Sequence, residues 1–168
     1  KHANQDFIES KLIVFGENNT SAKKLEKIYR DHSKCRCTDY IYTDAIAASL
    51  IKYTINSFLA TKVTFFNELN SLFNQSGTEE SWDNFILAIA NDPRIGNSHM
   101  QVPGHDGRLG FGGACLPKDS NAFNIYSEEV GEPLSLLKKV IKTNNKIRAK
   151  YNVKTLRELE QNIKYDEE

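Results

Sequence analysis

Residues Asp44–Ser76 read DAIAASLIKYTINSFLATKVTFFNELNSLFNQS, without a single Gly or Pro. Ile46, Leu50, Ile51, Ile55, Phe58, Leu59, Val63, Phe66, Leu69, Leu72 and Phe73 recur at three- and four-residue steps, which predicts one helix. Thr43 or Asp44 can cap its start, and Gly77 ends it. At 1.5 Å per residue, about 30 residues make a rod of about 45 Å. That exceeds the three or four turns of an average globular helix. The apolar positions spread over more than one face, so the helix meets more than one surface. Such a helix in a small chain commonly links domains or forms a dimer seam.

Upstream, Lys11–Gly16 (KLIVFG) reads as a strand buried on both faces and closed by a turn. Asn18–Ser21 supplies capping residues for a helix from Ala22 to about His32, with Leu25, Ile28 and Tyr29 on one face. Thr38–Thr43 (TDYIYT) reads as a second strand. Strand, helix and strand have the size of a βαβ unit, the edge of a larger α/β domain. Cys35 and Cys37 form a C-x-C with no second pair of ligands, and His2, His32, His99 and His105 show no ligand spacing, so no metal is expected.

Downstream, Ser81 can cap a helix through Trp82, Phe85, Ile86 and Ile89 that Pro93 stops. Residues 91–114 hold Pro93, Gly96, Pro103, Gly104, Gly107, Gly110, Gly112 and Gly113, and read as a long ordered loop of the kind that carries function. Helices from Pro117 through Tyr126 and from Leu134 to about Lys150 follow. The charged end, 151–168, has a weak apolar period (Val153, Leu156, Leu159, Ile163) and reads as a peripheral helix with a frayed terminus. The expected fold is mostly α: a helical dimerisation domain with a long central helix, preceded by a strand-helix-strand remnant of a Rossmann-like α/β domain. Its expected parts are 1–43, the helix 44–75, a central helical domain 76–150 with the Cys loop, and the tail 151–168.

Over 168 residues, 22 basic side chains balance 22 acidic ones. Net charge therefore gathers neither nucleic acid nor an acidic substrate. A hydrophobic content of 39% supports a packed core, and no apolar run approaches the ~20 residues of a membrane span. Three cysteines, an odd number, point to a reducing, cytoplasmic setting.

The chemistry concentrates in Gly110–Asp119, GFGGACLPKD. Three glycines let the backbone approach a ligand closely. Pro117 suits a first helical turn, which sets Cys115 at a helix N-terminus where free N–H groups and the macrodipole favour a thiolate. Lys118 adds positive charge and Asp119 lies one turn on. This is what a nucleophilic thiol needs; a small buried Cys at a tight turn would use the same residue types. Lys52 and Asn56, at i and i+4 on the long helix, offer an ammonium and an amide to a developing oxyanion, or form a solvated stripe. Asn91–Gly96 (NDPRIG) presents Arg94, whose planar fork suits phosphate or sugar hydroxyls, or closes the helix with a surface turn.

The order Lys52-x-x-x-Asn56, DPRIG (92–96) and GFGGACLPKD (110–119) resembles the UDP-glucose/GDP-mannose dehydrogenase family, nearest to its UDP-glucose 6-dehydrogenase branch. The resemblance runs from about Lys1 to Lys150. It implies a two-step, NAD-dependent oxidation of C6 of UDP-glucose. By the same resemblance Cys115 is the nucleophile, Lys52 and Asn56 stabilise the oxyanion, and Asp119 holds the water. Phe111, Gly112 and Arg94 bind substrate, Arg94 across a dimer, and Lys118 lies near the cofactor. The long helix would pair with its copy to make a homodimer. No G-x-G-x-x-G follows a strand, and the 103–108 stretch PGHDGR exceeds shorter family versions. The expectation is a central part of a longer enzyme, inactive alone, lacking the NAD phosphate site and a C-terminal nucleotide-binding domain. The rivals are a GDP-mannose or other nucleotide-sugar dehydrogenase, which DPRIG weighs against, and a non-catalytic dimerisation module.

Overall fold

The structure is a computed structural model that describes residues 3–165; His2 lies outside them. It is predominantly helical, with a long central helix and a small parallel sheet, as the sequence pattern predicts. The elements run α1 (Ala3–Ile8), β1 (Leu12–Phe15), α2 (Thr20–His32), β2 (Asp39–Tyr42), α3 (Ala45–Gln75), α4 (Trp82–Ala90), α5 (Cys115–Glu129), α6 (Ser135–Arg148) and α7 (Leu156–Glu160). The chain divides into two compact units, one up to Lys52 and one from Tyr53 onward, so the boundary falls inside α3.

In the first unit β1 and β2 pair in parallel, Leu12 opposite Asp39 through Phe15 opposite Tyr42, joined by α2. Asn19 caps α2 by accepting the Ala22 N–H at 3.0 Å. Phe15 anchors the unit, its ring stacked on Tyr42 at 5.3 Å and on Tyr40 at 6.2 Å. The predicted burial of β1 on both faces does not hold. Leu12 is exposed and Ile13 and Val14 are half-buried, because among the described residues each strand has a single neighbour and α2 is the one crossover helix. Helix α1, only six residues, is too short for its periodicity to show in the sequence. Cys35 and Cys37 each donate to a backbone carbonyl at 3.3 Å, of Phe7 and Asp39 respectively.

In α3, Asp44 accepts the Ala47 N–H at 2.9 Å, the predicted cap. In the second unit Ser81 caps α4 through the Asn84 N–H at 3.2 Å, and Phe73 near the end of α3 meets Trp82 and Phe85 at ring separations of 5.4 and 4.8 Å. The core gathers Ala60 of α3, Phe111 of the glycine-rich loop and Val140 of α6, with Val63 and Leu116 packed against them. Burying a Phe side chain of this kind contributes about 1.5–3 kcal/mol. The loop backbone beside Phe111 is not left to solvent. Asn144 of α6, fully buried, accepts the Phe111 N–H at 2.7 Å and donates to the Phe111 carbonyl at 3.0 Å. Gly110 turns there with φ +75°, and a side chain on it would stand 2.6 Å from the Asn144 Oδ1.

The tail folds opposite to its apolar period. Leu156 is 72% exposed, and Val153 and Leu159 are exposed with it, whereas Glu158 is 0% exposed and only Ile163 of the predicted face is buried. Thr155 and Glu158 form a reciprocal capping box that turns the carboxylate inward.

Replacing Asn144 by Ala leaves both backbone groups of Phe111 buried and unpaired. Asn144→Ala should lose about 2–4 kcal/mol in urea unfolding; a loss below about 1 kcal/mol would show that the amide does not hold the loop.

Candidate active site

Cys115 is the first residue of α5 and is exposed. Ala114, at the N-cap, provides no side-chain acceptor, so the first-turn N–H groups beside the sulfur have no side-chain cap. The thiol therefore sits at the positive end of a helix with its surroundings open to an anion. One turn on, Asp119 is 1% exposed, and its Oδ2 accepts the Asn56 Nδ2–H at 2.5 Å. Its Oδ1 lies 3.9 Å from the Lys118 ammonium, which is itself half exposed. The structure thus brings Asn56 and Asp119, 63 positions apart in sequence, into one hydrogen bond below the exposed Cys115 turn. Lys52 stands at i−4 from Asn56 on α3 and is the last residue of the first unit.

The remaining predicted residues lie as follows. Phe111 turns its ring into the core, against Ala60 and Val140. Gly112 lies on the Arg148–Glu158 ion pair: a Cβ there would stand 2.0 Å from an Arg148 guanidinium nitrogen and 2.8 Å from a Glu158 oxygen. Arg94 is exposed and pairs with Asp92 of its own turn at 2.5 Å. These bonds hold the Asp92 carboxyl below its usual range. That turn is fixed to α3 by Lys62, which donates to the carbonyls of Ile95 at 2.9 Å and Gly96 at 3.1 Å. In the preceding stretch His99 adopts φ 60° and Met100 is buried. Among the described residues no group of three or more His, Cys, Asp or Glu side chains could hold a metal.

Sequence reading missed the residues that support the loop from behind. Asn67 of α3 accepts the Gly110 N–H at 2.9 Å. Arg148 donates to Asp106 at 2.8 Å and to Glu158 at 2.6 Å, both through Nη2. Glu158 Oε1 also accepts Tyr165 O–H at 2.6 Å and Gly113 N–H at 3.4 Å, and its Oε2 accepts the Thr155 N–H at 2.7 Å. Burial alone would raise the Glu158 carboxyl; the bonds from Tyr165, Thr155 and Arg148 outweigh it and hold it at about 2. Burial, reinforced by that carboxylate, pushes the Tyr165 phenol up. One signal was present. Leu137, Val140, Asn144 and Arg148 fall at three- and four-residue steps, so two polar residues continue the apolar face of α6.

With this geometry in view, the central-domain profile described as "UDP-glucose/GDP-mannose dehydrogenase family, central domain" matches residues 46–146. The chain belongs to this family. It is similar to the UDP-glucose 6-dehydrogenase YwqF of Bacillus subtilis (strain 168), 31% identical over 153 residues, which are 91% of this chain and 32% of that protein. It is also similar to the UDP-glucose 6-dehydrogenase of Rickettsia felis, 36% identical over 141 residues, 83% of this chain and 30% of that protein. The solved UDP-glucose dehydrogenase from the hyperthermophilic archaeon Pyrobaculum islandicum superimposes with a TM-score of 0.70 at 30% identity, over 84% of this chain and 31% of that one. The chain spans about a third of the length of the curated relatives it matches. Family membership includes the Cys115 turn, Asn56 and Asp119 within the matched residues; Arg148, Glu158 and Tyr165 lie beyond them.

The Glu158 carboxyl binds its proton less readily folded than unfolded, where its ordinary value is 4.5. Its contribution to stability is therefore complete above about pH 4.5 and is lost as pH falls from there toward 2. Thermal unfolding of Glu158→Gln should lack that part of the acid loss; parallel acid curves for the two proteins would exclude it.

Proposed function

We propose that this chain carries the covalent chemistry of a UDP-glucose 6-dehydrogenase, the oxidation of UDP-glucose to UDP-glucuronate. The observation that supports it most is the Asn56–Asp119 hydrogen bond one turn below an exposed Cys115 at an uncapped helix start. NAD, the cofactor the family implies, accepts the hydrides when bound. Residues 3–165 do not fit its phosphates: no G-x-G-x-x-G follows β1, and the turn after β1 holds a single glycine, Gly16. Among the described residues Lys118 is the side chain proposed to lie near the cofactor.

What the chain's own residues do follows from their chemistry. The Cys115 thiolate adds to the C6 aldehyde of the half-oxidised sugar, forming a C–S bond while the carbonyl oxygen takes the electron pair. This keeps the aldehyde bound. The family resemblance assigns the resulting oxyanion to the Lys52 ammonium and Asn56 amide. Once C6 is at the acid oxidation level, as a thioester, water adds to it, the C–S bond breaks and the Cys115 thiolate leaves. Asp119 is proposed to hold that water and take its proton, a reading supported by its hydrogen bond from Asn56 and its second oxygen 3.9 Å from Lys118. The backbone of Phe111 and Gly112 is the part of those residues proposed to face the sugar nucleotide, since the Phe111 ring is in the core. Arg94 is proposed to reach the substrate of a second copy. Three free thiols suit the reducing cytoplasm.

In an enzyme that joins these residues to a dinucleotide-binding domain, Cys115→Ala should cut UDP-glucuronate formation by roughly 10²-fold or more. Asp119→Ala should accumulate an adduct on Cys115 detectable by mass spectrometry after mixing with UDP-glucose and NAD. Undiminished activity of Cys115→Ala would remove the covalent role. GDP-mannose turned over in place of UDP-glucose would favour the rival substrate.

The homodimer proposal rests on α3. Phe58, Phe65 and Leu72 are 67%, 58% and 65% exposed and recur every seven residues, an apolar seam along one side of the helix. Light scattering at micromolar concentration should give a dimer, and Phe58→Glu with Phe65→Glu should give a monomer. A wild-type monomer would count against the pairing.

A further inference from the structure

The glycine-rich loop is held on two sides by different devices. Asn67 and Asn144 take up the backbone of Gly110 and Phe111. At Gly112–Gly113 the support is ionic. The Arg148 guanidinium is 1% exposed at its side chain, as is the Glu158 carboxylate, and the two meet at 2.6 Å. Asp106, from the 103–108 stretch, adds a second carboxylate to the same nitrogen at 2.8 Å. Tyr165 closes the other side through Glu158 Oε1, with its ring 5.6 Å from the guanidinium carbon. The pair is connected directly to the loop. Gly113 donates its N–H to Glu158 at 3.4 Å, Arg148 donates to the Leu109 carbonyl at 3.4 Å, and Gly112 has no room for a Cβ above the guanidinium. Gly113 is two residues before Cys115.

We infer that Arg148 and Glu158 are positioning residues for Cys115: the segment 155–165 locks the glycine-rich loop through this pair and so fixes the start of α5 and the approach to its thiol. The inference rests on the reading of Cys115 as a nucleophile but concerns a part of the chain that the family match does not reach, which ends at residue 146. Physically, a buried ion pair held by several further bonds is rigid, because a displacement leaves a charge without a partner. A loop bonded to it cannot shift without disturbing both. Loosening the pair lets the first turn of α5 fray, and the thiol loses the fixed position that the ordered turn gives it. Because Cys115 is already exposed, a plain loss of stability does not make it more accessible; a change in its reactivity reports its setting.

The test uses this chain without substrate or cofactor, so its failure and the failure of the dehydrogenase reading are separable. Alkylation by iodoacetamide at pH 7 is followed by peptide mass spectrometry at Cys115, with Cys35 of the first unit as the internal reference. Backbone hydrogen exchange is followed over 109–114. In Glu158→Gln the Cys115 rate should fall roughly threefold to tenfold, with Cys35 unchanged and exchange of 109–114 accelerated. Glu158→Asp, which keeps the carboxylate, should restore part of the rate. Should circular dichroism show Glu158→Gln unfolded, Tyr165→Phe, which removes one hydroxyl from the network, decides by the same criteria with a smaller fall. An unchanged Cys115 rate in the folded variant overturns the inference, as does a change shared equally by Cys35.

Discussion

A guanidinium and a carboxylate, Arg148 and Glu158, are buried against each other beneath Gly112, and the second unit is arranged around keeping them satisfied. Taking two charges out of water costs several kcal/mol per ion, and the pair returns this only when further donors and acceptors take up its charges. Five other groups do so here. Asp106, the Leu109 carbonyl, Tyr165, Thr155 and the Gly113 N–H come from two separate stretches of chain, the loop and the tail, and converge on two side chains. Neither of these stretches has a large apolar surface of its own. The loop 91–114 lacks regular structure, and the tail exposes Val153, Leu156 and Leu159. Alongside the buried rings and side chains of Phe111, Met100 and Ile163, this polar network is what ties the loop to the tail.

That arrangement explains which parts of the fold were legible. Helix α3 was, since the run free of Gly and Pro, the Asp44 cap and the Gly77 stop agree with one another. So was the parallel β1–α2–β2 unit, from its two short apolar runs and the Asn19 cap. The tail was not. Reading periodicity assumes that the apolar residue goes in and the charged one out, and at α7 Glu158 takes the inner position because Arg148 is there to meet it. A partner that arrives from another helix leaves no trace in the local period. The Thr155–Glu158 capping box is what turns that carboxylate inward.

The site shows the same division. Cys115 at a helix start and Asp119 one turn later follow from local spacing, and the structure has both. The joining of Asp119 to Asn56 is a tertiary fact that local spacing does not carry. Phe111 was read for its place in the motif, whereas its ring completes the core with Ala60 and Val140. The supporting residues Asn67, Asn144, Lys62 and Arg148 went unread because polar side chains on amphipathic helices are ordinarily solvated. Each of them instead contacts loop backbone: Asn67, Asn144 and Arg148 the glycine-rich loop, Lys62 the 92–96 turn.

The glycines of GFGGACLPKD then have two distinct grounds. Gly110 is required by its positive φ and by the Asn144 amide, which leaves no space for a side chain. Gly112 is required because the Arg148 guanidinium lies where its Cβ would be. A motif glycine is usually explained by the ligand it lets approach. Here the side facing the protein interior is already sufficient to exclude a side chain, whatever the outer side binds. The constraint therefore runs inward from the loop to residues 148 and 158, and a substitution at Gly112 displaces the buried pair before it changes anything a substrate would touch.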